Sequence, residues 1–513
     1  MEELGGENGY RVCEEKKEQG EAVNRRKFTT ASVAFGLFGH RVAGKELPIH
    51  QKLGKGSLDV SLRILNLHGE QPRAIQNLFK ASHPILFAEK NQTFAELMRH
   101  PEIVKRCADA GMTHLGGPML GCISETGASV WIRTLKPASV TVEAAGRVYG
   151  PVKSSEESDL TAVVRVDGLE PDRETGYRVL IDGKPIHFNG STVIRTTSEK
   201  PGTTRIAWGS CWHRWGLGHP QMDLVRKRKP SALLMIGDSA VQDRRGKTGA
   251  ARFDVMLRDL TPRWTTFCSE IPVYATWDDH DYAGNDIGGL VEGRFSAEDR
   301  SNVRDLWTQT WVNPGYGFEK ERSGIFFKTR IGPADVIMID NRYFRDHRKG
   351  LNSFLGKAQM DWVKQQLLES KAPFIILSCG TMWSDYVSNG KDSWGRYDKE
   401  GREELSRFIE AHKIGGVLLI SGDRHGARGF TIPRNNGFKF YEFGGACFGG
   451  RIGPPARDPA WTTQLYGIAA EYAFSEFEFD TAKADPEVTM RLIHESGREV
   501  YSITLKRSEL TPD

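Results

Sequence analysis

Six short apolar runs, each closed by a polar cluster, constrain this 513-residue chain more than any other feature. They cover 205–211, 232–238, 272–278, 335–340, 374–378 and 416–423. A strand with one face in water alternates apolar and polar residues, whereas a run apolar on both faces has to be covered on both. Helical patterns lie between the runs, the clearest at 357–369 and 399–412. The pattern predicts an α/β domain whose polar residues gather at the carboxyl ends of its strands, the edge where open α/β sheets bind ligands. The last hundred residues return to β-rich segments (438–443, 472–480 and 499–505), which predict a second sheet packed on the first.

Four of the strand ends carry chemistry. These are Ser210-Cys211-Trp212-His213, Gly237-Asp238, Trp277-Asp278-Asp279-His280-Asp281 and Gly422-Asp423-Arg424-His425. A single Asp after a strand commonly caps a helix or bonds a loop. Several carboxylates on one edge repel each other strongly unless a cation neutralises them. Carboxylate, imidazole and thiolate together describe a site for two or more metal ions, with mixed hard and soft character. The seven cysteines (13, 107, 122, 211, 268, 379 and 447) are irregularly spaced and form no CxxC pair, so they outline neither a disulfide framework nor a zinc ribbon. Most read as small buried hydrophobes, Cys379 among them, with Cys211 the exception. Trp212, Trp215, Trp277, Trp383 and Trp394 either line the site or pack the core. Arg402, Arg424 and Arg428 are either phosphate binders or surface residues. Ser210, Ser239 and Ser378 lack the Gly-x-Ser-x-Gly elbow of a serine nucleophile.

Composition excludes several classes. With 39% hydrophobic and 27% charged residues the chain is globular rather than disordered. Its 70 basic and 66 acidic side chains leave a formal charge of only +4, which argues against nucleic acid as a partner. No apolar run reaches the roughly 18 residues of a membrane-spanning helix. The N-terminus is distinctive. Asn24-Arg25-Arg26-Lys27-Phe28 precedes a weakly apolar stretch at 31–39, then Arg41 and the small residues Val42-Ala43-Gly44. This pattern predicts a twin-arginine-type export signal over 1–44, with the twin-arginine export machinery as a partner and a periplasmic or secreted location. Residues 45–112 are predicted as a helical extension, in which Thr93 and Glu96 fit a capping box. Residues 113–200 alternate short β-rich runs with turns and predict a fibronectin/Ig-like β-sandwich, an accessory rather than a site of chemistry.

From about Gly116 onward the chain resembles the PhoD-type alkaline phosphatase family of the metallophosphatase superfamily. The residues that carry the likeness are Gly117-Pro118-Met119-Leu120-Gly121 and Val130-Trp131-Ile132-Arg133, then Ser210-Cys211, Gly237-Asp238, Thr276-Trp277-Asp278-Asp279-His280, Asp340-Asn341-Arg342 and Gly422-Asp423-Arg424-His425. Leu355-Gly356 with Gln359 and Trp362 fits the family's helix after its Asp-x-Arg element. The resemblance implies an α/β metallophosphatase-like β-sandwich flanked by helices over 201–513, preceded by the small all-β domain. It implies iron plus calcium as metals, with Cys211 ligating iron, Asp238 bridging, Asp279 holding the second metal, and Asp423 and His425 completing the coordination. His280 would protonate the leaving group, and Arg342 would contact substrate phosphate. One position departs from the pattern: where the family carries a Tyr ligand three residues after the bridging Asp, this chain has Val241. His213 is one candidate replacement, because side chains at i and i+2 of an extended segment point the same way. Asp243 is another.

The function these residues imply is an exported, metal-dependent phosphoesterase that hydrolyses phosphate esters by in-line attack of a metal-bound hydroxide. Three alternatives stand beside it. One is a phosphodiesterase resembling phospholipase D, acting on lipid or cell-wall polymer. The second is an inert exported binding protein that keeps the fold, motivated by Val241. The third is an intracellular nucleotidase with a disordered N-terminus. Replacing both Arg25 and Arg26 by Lys is expected to hold the protein in the cytoplasm, as read by cell fractionation; unchanged localisation removes the export signal.

Overall fold

The computed structural model describes residues 57–346, 353–385, 393–453, 457–458, 460–468 and 471–513. The predicted export signal lies outside them. Four helices come first: α1 (Leu58–Leu65), α2 (Arg73–Leu86), α3 (Phe94–Leu97) and α4 (Pro101–Asp109). The predicted capping box opens α3, with Glu96 N–H donating to Thr93 Oγ1 (3.0 Å) and Thr93 N–H to Glu96 Oε2 (2.7 Å). Among the described residues no helix is long and apolar enough to cross a membrane.

Eight strands follow: β1 (Gly116–Gly121), β2 (Ala128–Arg133), β3 (Ala138–Ala144), β4 (Arg147–Ser154), β5 (Thr161–Val166), β6 (Glu174–Ile181), β7 (Lys184–Pro185) and β8 (Val193–Arg195). They pair only with one another, as β1-β2-β5 and as β4-β3-β6-β7 with β8 on β6. Strand β3 has the alternation of a strand buried on one face, with Ala138, Val140, Val142 and Ala144 inward.

The rest of the chain forms the large domain. It begins with β9 (Thr203–Gly209), α5 (His213–Gly216), α6 (Gln221–Lys227), β10 (Ala232–Ile236), α7 (Thr248–Asp259), α8 (Pro262–Cys268), β11 (Val273–Thr276), α9 (Asp279–Tyr282) and α10 (Ala297–Thr310). It continues through β12 (Phe327–Ile331), β13 (Ala334–Met338), α11 (Gly356–Glu369), β14 (Phe374–Cys379), α12 (Trp394–Tyr397), α13 (Lys399–Ala411) and β15 (Val417–Ser421). It closes with β16 (Ala427–Pro433), β17 (Lys439–Gly444), β18 (Gln464–Ile468), β19 (Ala473–Asp480), β20 (Glu487–His494) and β21 (Glu499–Lys506).

All six apolar runs are strands, but they do not share a sheet. Three run parallel in a six-stranded sheet, β11-β10-β9-β19-β20-β21, and three in a seven-stranded sheet, β12-β13-β14-β15-β17-β16-β18. The C-terminal strands form no sheet of their own, contrary to expectation. Instead β19 pairs antiparallel with β9, and β17 pairs parallel with β15. The physical reason is that β9 and β15 would otherwise expose unpaired backbone on apolar edge strands. The two sheets face each other across one core, where Ile206, Trp208, Leu234 and Ile236 meet Val336, Met338, Ile376 and Ile420, all fully buried. This is a β-sandwich flanked by helices.

A single carboxylate ties the helical segment, the small sandwich and the large domain together. Asp159, between β4 and β5, accepts the backbone N–H groups of Phe94 (2.7 Å) and Ala95 (3.3 Å) at the start of α3. It also accepts from Arg252 Nε of α7 (2.7 Å) and lies 3.8 Å from Arg133 Nη1 of β2. All three side chains are buried. Burial alone would raise the Asp159 pKa, but Arg252 and Arg133 outweigh it and hold it below the usual carboxylate range. The stabilisation is therefore present above the unfolded-state carboxylate pKa and is lost as pH falls through the depressed value. Asp159→Ala strands two buried guanidinium groups and is expected to destabilise the fold by about 3–5 kcal/mol in urea unfolding. A loss under about 1 kcal/mol would show that the joint carries no weight.

Candidate metal centre

Four strand ends build the centre. β9 leads into Cys211 and then His213 at the start of α5, β10 into Asp238, β11 into Asp278, Asp279 and His280 of α9, and β15 into Asp423 and His425. The loops approach so closely that two glycines are required. A Cβ on Gly237 would sit 2.4 Å from Asp278 Cβ, and one on Gly422 would sit 2.7 Å from the Ile236 carbonyl oxygen. Cys211, His213, Asp238, Asp423 and His425 all have left-handed backbone, with φ of 56°, 48°, 52°, 69° and 52°. Each non-glycine residue held there costs on the order of 1–3 kcal/mol, and such strain clusters where side-chain placement matters more than local comfort.

Three groups of side chains bring their ligand atoms within 4.8 Å of one another: Cys211, Asp238 and His425; Asp238, Asp279 and His280; and Asp278, Asp279 and Asp423. Both oxygens of Asp238 are buried, and among the described residues no donor reaches them. His213 Nε2 is 3.9 Å away and too distant for a hydrogen bond. A buried carboxylate without donors is costly. Burial raises the Asp238 pKa well above the usual range, His280 opposes the rise, and Asp279, Asp278 and Asp281 reinforce it. Burial, then Asp238, likewise raises the Cys211 thiol. A bound cation reverses both effects, because it replaces the missing donors and favours carboxylate and thiolate. The residues fit metal ions on this ground. The group with Cys211 and His425 suits a softer ion, and the three carboxylates suit a hard one.

His280 is oriented by Asp243, whose Oδ1 accepts from His280 Nδ1 at 2.7 Å. Burial acts to lower the His280 pKa, but Asp279, Asp238 and Asp243 outweigh it and place it well above 6.5. Asp243, expected as a replacement ligand, is thus the partner of the histidine. Sequence alone offered only its proximity to Asp238 as a signal.

His213 reaches the site by a route other than the one predicted. The segment from Cys211 is not extended, since both residues are left-handed and His213 begins α5. Its ring nonetheless stacks on His425 at 5.2 Å and meets His280 edge-on at 5.4 Å. It packs against the ligand groups without belonging to any of the three.

Arg342 differs from expectation. Its side chain is fully buried, and Nε donates to Asp278 Oδ1 at 2.6 Å, beside Asn341 Nδ2 at 2.8 Å. It is engaged with Asp278 through Nε. The loop that places it is fixed by Asp340, which accepts from Trp277 Nε1 (2.7 Å) and from the N–H groups of Arg342 (3.0 Å) and Tyr343 (2.9 Å). Gln359 of α11 clamps the same loop, donating to the Asp340 carbonyl (2.9 Å) and accepting its N–H (2.8 Å).

Val241 lines an apolar cavity with Tyr282, Trp307 and Trp311. Arg424 pairs with Asp423 (2.6 Å), Arg428 donates to the Arg424 carbonyl, and Arg402 pairs with Asp385 (2.9 Å). Trp212, Trp277, Trp394 and Cys379 are core residues.

Two facing sheets thus bring acidic and histidine loops together on one edge. Residues 250–451 match the family model of PhoD-like phosphatases. The resemblance read from the motifs therefore holds over most of the site-bearing region. Residues 112–196 match a domain of unknown function, DUF7800. Among solved structures, one described as the structure of PhoD aligns with TM-score 0.59 at 15% identity, covering 76% of this chain and 92% of that one. Purple acid phosphatase PPD1 from yellow lupin (Lupinus luteus) seeds aligns with TM-score 0.56 at 14% identity, covering 77% and 76%. At these identities the likeness is one of fold. No curated protein sequence matches the chain.

Elemental analysis of protein purified without chelator is expected to find at least two metal ions per wild-type chain and a clear deficit in Asp238→Asn. Equal content in the two proteins would remove Asp238 from the centre. Because ions bound to the native state alone stabilise it by about 2.7 kcal/mol at a hundredfold excess over Kd, chelation is also expected to lower the melting temperature.

Proposed function

We propose that this protein is an exported, metal-dependent hydrolase of phosphate esters. The family match and the fold support a metal-dependent phosphoesterase. The observation that carries the reading further is Asp238, buried without donors and shared by two ligand groups beside a histidine whose pKa Asp279, Asp238 and Asp243 raise against burial. Cys211, Asp238 and His425 would hold one ion, for which iron is the proposal. Asp278, Asp279 and Asp423 would hold another, for which calcium is the proposal. Ions bound there act as Lewis acids on phosphoryl oxygens and make water available as a nucleophile near neutral pH.

The chain's own residues do the rest. Asp279 is held by the N–H groups of His280 (2.8 Å, to Oδ1) and Asp286 (2.6 Å, to Oδ2), which fixes its carboxylate plane. Asp243 fixes the His280 ring through Nδ1 and leaves Nε2 to give its proton to the departing ester oxygen. Arg342 and Asn341 keep Asp278 turned toward the cluster. Export rests on the paired Arg25 and Arg26.

His280→Ala is expected to lower kcat about 10²- to 10⁴-fold on p-nitrophenyl phosphate, with an unchanged circular dichroism spectrum. Undiminished turnover would sink the assignment, and a wild type inert toward phosphate esters would favour the binding-protein alternative. The pH profile gives a separate check. His280 acts in its protonated form, so activity falls as pH rises through its pKa. Asp243 raises that pKa, and Asp243→Asn is therefore expected to move the alkaline limb of kcat/KM to lower pH.

A further inference from the structure

A phosphoryl group arriving at this centre meets several carboxylates, and Arg342 is committed to Asp278. Arg424 is paired with Asp423, and Arg428 is buried and bonded to the Arg424 carbonyl. A further arginine lies on a different segment. After β17 the chain runs across the centre as a glycine-rich strap, Cys447-Phe448-Gly449-Gly450-Arg451-Ile452-Gly453. The strap is pinned to two of the three loops that carry the ligands of the Cys211 group. Phe448 N–H donates to the Ser210 carbonyl (3.1 Å), and Gly453 N–H donates to the His425 carbonyl (2.8 Å). A Cβ at Gly450 would lie 2.1 Å from the Cys211 carbonyl oxygen, and one at Gly453 would lie 2.5 Å from His425 Cβ. The strap can lie this close only because those two positions carry no side chain. Between them sits Arg451, whose carbonyl accepts the Cys447 thiol at 2.9 Å. It is exposed, and among the described residues no carboxylate pairs with it.

We infer that Arg451 is a substrate-binding residue, held by the strap at the rim of the centre to pair with the oxygens of a phosphoryl group. The inference rests on the phosphoesterase reading for its substrate class, but its anion-binding chemistry is independent of turnover. The planar guanidinium fork matches two phosphoryl oxygens, and an exposed cation at the rim offsets the acidic field that a phosphate dianion would otherwise meet. Backbone attachment to two separate ligand loops gives this side chain a fixed origin despite its exposure.

The test measures binding of inorganic phosphate to the metal-loaded full chain by calorimetry, for wild type, Arg451→Ala and Arg451→Lys, beside turnover of p-nitrophenyl phosphate. Arg451→Ala is expected to weaken phosphate about tenfold and to raise KM similarly, with kcat changed less than about threefold. Arg451→Lys is expected to recover part of the affinity, because it keeps the charge and loses the fork. Equal phosphate affinity in wild type and Arg451→Ala overturns the inference even if both proteins hydrolyse the ester. A wild type that binds no phosphate overturns it as well. Phosphate binding that weakens in Arg451→Ala, with no turnover by the wild type, supports Arg451 as an anion ligand and sinks the phosphoesterase reading instead.

Discussion

Mutual repulsion of the carboxylates at one edge of the two-sheet sandwich is the constraint on which the rest of the structure depends. The fold answers it residue by residue. Asp278 has Arg342 and Asn341, and Asp423 has Arg424 and the Thr381 hydroxyl (3.2 Å). Asp281 caps α9 and accepts the Ser239 and Asp278 N–H groups (2.8 and 3.2 Å), although burial still raises its pKa to about 8. Asp243 is matched with His280. Asp238 is left without a hydrogen-bond donor among the described residues. The compensation therefore stops at Asp238, which two of the ligand groups share and where bound cations would supply what the polypeptide does not.

The same site explains features far from the chemistry. Strained backbone at five site residues persists only if the surroundings over-determine it. The N-terminal helices contribute to that determination. Arg214, next to His213, donates to Ser61 of α1 (3.2 Å) and pairs with Asp254 of α7 (3.2 Å), all three buried. His68 lies 3.0 Å from the Trp215 carbonyl, and Trp215 stacks on His213 at 4.8 Å. The helical segment thus stands behind the turn that carries His213 and supports it.

Much of this was legible in the chain. Runs such as 232–236 and 417–421 are buried throughout, as continuous apolar stretches require, and the acids and histidines fall at their carboxyl ends. The capping box of α3 was legible for the same reason: its two hydrogen bonds join residues three apart. The partition of the six runs between two sheets was not, because apolar strands carry no label for their neighbours. Nor was the turn at Cys211, where left-handed backbone replaces the extended geometry that periodicity assumes.

The sequence by itself determined the element types, the composition of the strand ends and hence a mixed hard and soft donor set, since these depend on local pattern and side-chain chemistry. The tertiary structure alone decided which charge answers which. It joined Arg342 to Asp278 across 64 positions of chain, paired Asp243 with His280, and left Asp238 without a donor among the described residues. Those pairings are long-range, and burial sets their strength. Both are products of the packed fold rather than of any stretch of residues.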